Sequence, residues 1–446
     1  MLTRVFIGII LLPTCALWAQ VGASGAEAAA TGPGGGGGGM ATPAPVSGEG
    51  YSMGFTSETR ENYLRGGVVF TTAYDSDVTV GTNGQPVGDE SYSIWPTISL
   101  DETRSRFHLT LSYSPGYTFY QNTSSLNAAN QNFAVGFKYR LSPHVTVSLR
   151  DSFQKTSSIL NQANPDSGSP VSGAVFVPNT SVIAPIADVL TNNANATLSY
   201  QFSANGMIGA SGNFTNLHYP NATQVPGLFD SSSRGGSAFY NHRLSKMNYI
   251  GATYQYQTFF SYLTGGQSET QTQSILLFYT LYFKPTLSLS LFGGPQYSNT
   301  QQLGLPSSQS WSPSGGASFG WQGKVTSVAA SYSQAISGGG GLVGAVHYYG
   351  VNGSVRQQFT RTLSGGISGN YSNNQVLDAL PGYDNNGHTV SGSASLQYQI
   401  GQNLNAGVQY TRMHQSYNDV PAISVVPDHN RIAVSISYQF SKSLGR

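Results

Sequence analysis

The sequence predicts a transmembrane antiparallel up-and-down β-barrel of about 18 strands, 16 being the other count it permits, with short periplasmic turns and long extracellular loops. Three observations lead there. Apolar and small polar residues alternate through segment after segment, charged side chains are scarce, and the segments are joined by tight and long links in turn.

Stretches such as RFHLTLSYSPGYTFY (106–120), NFAVGFKYR (132–140), HVTVSLR (144–150), NATLSYQF (195–202), ILLFYTLYF (275–283), TLSLSLFG (286–293) and VSGSASLQYQI (390–400) repeat with a period of two. Strand residues point alternately to the two faces of a sheet. One face therefore collects Leu, Val, Ile, Phe and Tyr, and the other Ser, Thr, Gln, Asn and Gly. Beyond the N-terminal segment no apolar run is long enough for a membrane helix.

The 446 residues include 20 basic and 19 acidic ones, a charged fraction of 9%, where ordinary soluble domains hold about 25%. A water-facing surface that poor in charge invites aggregation, and a disordered chain does not carry 27 Tyr. The competing fold, a soluble β-sandwich, would need far more charge on its outer faces. Balanced signs also argue against a nucleic-acid partner or a polybasic membrane tether.

The N-terminal residues MLTRVFIGIILLPTCALWAQ place Arg4 before an apolar core from Val5 to Leu17, with a cleavage point after Ala19, the layout of a signal peptide over 1–19. Leu17 is large for its place before the cut, so cleavage around Ala26 is the other position. An N-terminal anchor is the competing reading, but the run falls short of the ~20 residues a spanning helix needs. Cys15, the only cysteine, lies in this segment; LPTC is a poor lipid-attachment motif, so the mature chain carries no disulfide or thiolate metal site. Residues 20–50 form a flexible Ala/Gly/Pro-rich tail. Its glycine run lacks the Lys-Ser/Thr and flanking elements of a phosphate loop. The barrel domain then occupies 51–446.

Strand segments fall near 63–75, 92–101, 106–120, 131–141, 144–157, 194–203, 206–219, 234–244, 247–263, 269–284, 286–301, 312–323, 325–336, 345–358, 361–374, 388–400, 403–417 and 429–440. Every even-numbered segment ends in a tight link: DETRS, LSP, SANG, LSK, KP, WQGK, FTRT and IGQN. Links after odd-numbered segments are mostly longer and rich in Gly, Asn, Pro and Asp. An aromatic marks the inner interface on the descending segments: Tyr139, Tyr200 or Phe202, Phe283, Trp321, Phe359, Tyr398, and Tyr438 with Phe440. Hydrocarbon leaves no backbone group a partner outside the sheet, so the sheet must close. In the last segment Ile432, Val434, Ile436, Tyr438 and Phe440 face lipid, and Ala433, Ser435, Ser437 and Gln439 face inward.

The terminal SYQFSKSLGR resembles the ends of bacterial outer-membrane β-barrel proteins and porins of acidobacterial type. The specific match is confined to the last strand, and SKSLGR follows the aromatic where such signals end on it. The resemblance implies that Tyr438 and Phe440 are read by the barrel-assembly machinery in the outer membrane, among phospholipid and lipopolysaccharide.

Eighteen strands spaced ~4.8 Å and tilted ~40° enclose a backbone diameter of about 36 Å, too wide for side chains to fill. Inward positions are mostly neutral and hydrogen-bonding, Thr110, Ser112, Ser148, Thr197, Ser199, Gln201, Thr253, Gln255, Ser393, Ser395 and Gln397 among them, with Phe278, Tyr282 and Phe292 intruding. Lys138, Arg140, Arg150, Arg243, Arg356 and Arg431 also fall inward, and basic pore linings favour anions; seats at the rim beside lipid headgroups would serve them equally. The expected function is passive diffusion of small hydrophilic solutes with weak anion selectivity. A polysaccharide export or secretion barrel and a structural or adhesive surface barrel are the alternatives.

The eight histidines (His108, His144, His218, His242, His347, His388, His414 and His429) are scattered singly, without a paired-histidine motif or a serine elbow, so neither an enzyme nor a cofactor is expected. Two features stand apart. Loop 158–193 is oily at VSGAVFVP (171–178) and VIAPIADVL (182–190), with Asp166 and Asp188 its only charges. It should fold into the channel as a constriction or make the contact in a homo-oligomer. Asp151 is forced outward between Leu149 and Phe153, at a depth where a basic residue costs up to ~2–4 kcal/mol and an acid less. A bulge, a subunit interface or a different register would each account for it.

Overall fold

The computed structural model describes residues 62–80, 86–157, 181–182, 187–263, 266–284, 286–302, 306–377 and 384–445. The expected signal peptide, the tail and the stretch 171–178 lie outside them.

Alternation becomes architecture in one 18-stranded antiparallel sheet. In chain order the strands are β1 (Tyr63–Val80), β2 (Pro86–Thr103), β3 (Phe107–Tyr120), β4 (Ala128–Arg140), β5 (Val145–Thr156), β6 (Val189–Gln201), β7 (Gly206–His218), β8 (Asp230–Arg243), β9 (Asn248–Leu263), β10 (Gly266–Lys284), β11 (Leu287–Gln302), β12 (Ser308–Gln322), β13 (Thr326–Gly338), β14 (Ala345–Gln358), β15 (Leu363–Val376), β16 (Gly387–Ile400), β17 (Leu404–Tyr417) and β18 (Asp428–Ser443). Each pairs with its chain neighbours. β1 also pairs with β18 from Tyr63↔Ser443 to Asp75↔Arg431, which closes the cylinder and leaves no edge. Both described ends meet at the turn end, where Leu444 N donates to Asn62 O (2.8 Å).

Three boundaries depart most from the sequence expectation. β1 runs on to Val80 and β2 starts at Pro86, because YDSDVTV and PVGDES continue the ladder without an apolar face; a register shift between Asp75 and Thr79 marks where the pattern fails. β6 starts at Val189, so the last residues of the expected 158–193 loop are wall.

The register separates the two faces. Val68, Phe70, Ile94, Ile98, Leu198, Ile250, Leu277, Ile367, Val408 and Ile436 are all large, apolar and exposed on the outside. Inside, hydroxyls pair across strands: Ser211 with Ser237 (2.7 Å), Thr280 with Ser290 (2.9 Å), Ser298 with Ser310 (2.8 Å) and Ser368 with Ser393 (2.7 Å). A wall apolar outside and hydrogen-bonded inside suits hydrocarbon on one side and water on the other.

Glycines let aromatics lie flat on this wall. A Cβ on Gly66 would stand 2.4 Å from the Phe440 ring across the closing seam, and one on Gly251 would stand 2.3 Å from Phe278. Phe278, 3% exposed, is thus laid along the wall instead of projecting into the lumen as its inward position suggests. Phe292 packs against it in the same small cluster.

One seam is incomplete. Pairing of β12 with β13 stops at Gly315↔Gln334, while β13 stays with β14 up to Gly338↔Ala345. Pro313 has no N–H to offer at this point. The released backbone of Ile336 is taken up by Gln296 of β11, whose Oε1 accepts from Ile336 N (2.8 Å). The β13–β14 hairpin tip thereby leans into the lumen.

Candidate functional site

Four links from distant parts of the ring meet over the mouth at the end opposite the tight turns. Val182 and Ala187 come from the β5–β6 link, Tyr219, Val225 and Leu228 from β7–β8, Leu342 from β13–β14, and Val420, Ala422 and Ile423 from β17–β18; with the strand residues Val189, Val346 and Tyr417 they form one buried cluster. Leu342, Val346, Val420 and Ile423 are 0% exposed. β8 and β17 stand half a ring apart, so links from both can touch only by crossing the opening. Fully burying an aliphatic side chain is worth about 1.5–3 kcal/mol, which gives this roof a core of its own.

Backbone and polar contacts fasten the roof. Phe229 N donates to Gly341 O (2.8 Å) and Ala422 N to Pro226 O (3.1 Å). Gly344 N donates to Ser261 Oγ (3.0 Å) on the inner face of β9. The β5–β6 link reaches farthest. Ser181 lies against the inner faces of β15 and β16, where Asn374 Nδ2 donates to its Oγ (2.8 Å) and Thr389 Oγ1 to its carbonyl (2.8 Å). Tyr417 OH accepts from the same Asn374 amide (2.7 Å). In its described residues the oily link therefore enters the barrel and crosses it. Burial, with the nearby Asp230 carboxylate, holds the Tyr219 phenol well above the ordinary tyrosine range.

The predicted cations all occupy positions of inward register but are not gathered into one ring. Lys138 and Arg140 sit at the turn end of β4, Arg243 and Arg356 at the turn ends of β8 and β14, and Arg150 midway along β5. Arg431 stands near the roof, opposite Asp75 across the seam, with His429 Nδ1 at 3.7 Å from that carboxylate. Arg65, also inward at the turn end, was hidden in the sequence because RGGVV blurs the alternation; it lies over the Tyr63 ring (5.6 Å). Asp101, which accepts from or faces His108 Nε2 at 2.9 Å, is an acid on the same inner rim.

The fold sets four of the histidines that sequence scatters, His108, His218, His414 and His429, beside carboxylates. His218 Nδ1 is 2.5 Å from Asp230 and His414 Nδ1 is 3.0 Å from Asp428, both beside the roofed mouth. Cross-strand register brings each pair together, a signal no local motif carries. Among the described residues no group of three or more His, Cys, Asp or Glu gathers as a metal site would require. Tyr438 and Phe440 lie exposed on the outer face of β18.

Asp151 does face outward. The ladders β4–β5 and β5–β6 pass through it without a shift, opposite Val135 and Ala194, so neither a bulge nor another register accounts for it.

No known family model matches the chain, and no curated protein does. Among solved structures, Pseudomonas aeruginosa OpdK with vanillate aligns over 85% of this chain and 99% of its own at 9% identity, with a TM-score of 0.42. OccK2 (OpdF) of the same organism, in complex with glucuronate, aligns over 85% and 98% at 11% identity (TM-score 0.45). The FrpB iron transporter from Neisseria meningitidis aligns over 79% of this chain and 62% of its own at 11% identity (TM-score 0.41). Fold and site define a closed antiparallel barrel with a greasy exterior, a hydrogen-bonding lumen and a mouth roofed by its own links.

Proposed function

We propose that the protein is an outer-membrane, porin-like channel through which small hydrophilic solutes diffuse passively, with the roof setting which of them enter. The observation that carries this reading is the division of one wall into an apolar outside and an inside of paired hydroxyls and amides: such a surface matters only if water occupies the lumen. The outer membrane follows from the spanning architecture, since closed β-barrels are the sheet form hydrocarbon tolerates. Tyr438 and Phe440, exposed at the end of the chain, are the residues proposed to engage the barrel-assembly machinery. Lys138, Arg140, Arg243 and Arg356 at the inner rim, with Arg150 above them, support weak preference for anions. The acidobacterial resemblance of the final strand fits the same reading.

The roof favours one rival, a sealed barrel with a structural or adhesive role. Planar-bilayer recording separates the two. The channel reading expects discrete conductance steps and, under a salt gradient, a reversal potential of anion sign; a purified, folded barrel that conducts nothing supports the sealed reading instead.

A further inference from the structure

The outward carboxylate of Asp151 sits on the edge of a hollow in the outer wall. The hollow spans β4 to β10, has a volume of ≈ 930 Å³, and is lined by outward side chains that include Phe137, Leu149, Asp151, Phe214, Arg234 and Tyr256. Its floor is made of Ala194, Ala196 and Gly212. Elsewhere the outer wall is convex and studded with large apolar groups; here small residues let another wall come close.

Three outward charges line the hollow: Asp151, Arg234 and Glu269, the last of which takes the Gln271 amide (2.9 Å) and makes no ion pair with Arg234. Register places Asp151 opposite Ala194, Ala194 opposite Phe214, and Phe214 opposite Arg234, so Asp151 and Arg234 stand in one cross-strand row. Three strand spacings of ~4.8 Å separate their backbones, too far for one to neutralise the other. Asp151 has only the Asn192 amide (2.9 Å) and Arg234 the face of Phe260 (4.9 Å) among the contacts of their side chains. Acyl chains could fill the hollow but offer neither Asp151 nor Arg234 an ionic partner. A second copy of the same wall offers both, because a two-fold contact brings residue i to j and j to i.

We propose that this sector is the contact face of a two-fold homodimer in the membrane, with Asp151 of each copy meeting Arg234 of the other. Arg234 stands farther from the turn end than Asp151, an offset that its long side chain spans. Two convex barrels would touch along a line, whereas two recessed sectors rimmed by Phe137, Phe214 and Tyr256 meet over a face. The interface is independent of what the lumen carries.

The test is made on the full-length protein in membranes and in detergent. Ala196→Cys should give an oxidised, disulfide-linked dimer in membranes; Ile367→Cys, 67% exposed on the opposite wall, should not. Asp151→Arg and Arg234→Asp should each weaken the dimer at least about tenfold by analytical ultracentrifugation, and the double exchange should restore it. Heat-modifiable gel migration reports whether each variant is a folded barrel; for any that is not, Asp151→Asn and Arg234→Gln take its place. A monomeric or trimeric wild type, equal cross-linking at both cysteines, single exchanges without effect, a double exchange that restores nothing, or a monomer retaining a lipid in the hollow would each overturn the proposal.

Discussion

At the scale of single residues, the wall depends on close approaches and buried acceptors more than on bulk apolarity. Gly66 is one such approach: the Phe440 ring occupies the space a side chain would need. Gly66→Leu should push Phe440 off the closing seam and cost about 1–3 kcal/mol, as overpacking typically does. The measurement is the midpoint of heat-modifiable gel migration, expected to fall in this variant and to stay put in Gly353→Ala, where an added Cβ meets nothing within 4 Å. Asp89 is a buried acceptor. Its carboxylate takes the backbone N–H groups of Asn122 (3.1 Å) and Thr123 (2.7 Å) and the Thr123 hydroxyl (2.5 Å), pinning the link between β3 and β4. Asp89→Ala leaves those donors without it at about 1–3 kcal/mol, and limited proteolysis should then cut between 121 and 127 in intact membranes. Neither residue announces itself in the sequence. Gly66 reads as one of 54 glycines, and Asp89 as one charge in a polar hairpin.

At the scale of elements, the roof is the part a sequence reader could only half see. The oily composition of 182–190 says that the β5–β6 link must bury itself, which follows from its apolar side chains alone. Where it goes depends on Asn374 and Thr389, about half a ring away, and no periodicity links those positions to Ser181. The same holds for Val420 and Ile423 against Val225: each lies in a link, where alternation has ended, and burial there is a long-range property. Strands were legible because their signal repeats every second residue. Removing the Ser181 anchor with Asn374→Ala loses hydrogen bonds worth about 1 kcal/mol each, so the roof should stand open several-fold more often; more frequent full-conductance events in single-channel records are expected, with the barrel's unfolding temperature little changed. Tyr219 adds a pH dependence. Its folded pKa is raised, so the neutral phenol stabilises the roof below the ordinary tyrosine value of about 10, and that contribution is lost as pH climbs through the folded value. Open probability should accordingly increase under strongly alkaline conditions, and Tyr219→Phe should abolish that increase.

At the scale of the whole molecule, charge is distributed along the axis. Arg65, Lys138, Arg140, Arg243 and Arg356 stand at the turn-end inner rim with Asp101 among them, whereas Asp75 and Asp89 stand inward at the roofed end beside Arg431. Replacing Lys138, Arg140 and Arg356 together by Glu should reverse the sign of the reversal potential in a salt gradient, an effect that weakens at high ionic strength as screening shortens. A cylinder with no edge unfolds only after one of its ladders has been broken, and the ladders are unequal. β12 and β13 already part above Gly315, held there by the Gln296 side chain in place of backbone rungs. Breaking that junction needs fewer bonds than any full-length pair, so the tube should unzip from this slit: amides of 327–334 are expected to exchange with deuterium before those of 432–440 at the Phe440 seam, and Gln296→Ala to bring the first event forward while leaving the second unchanged.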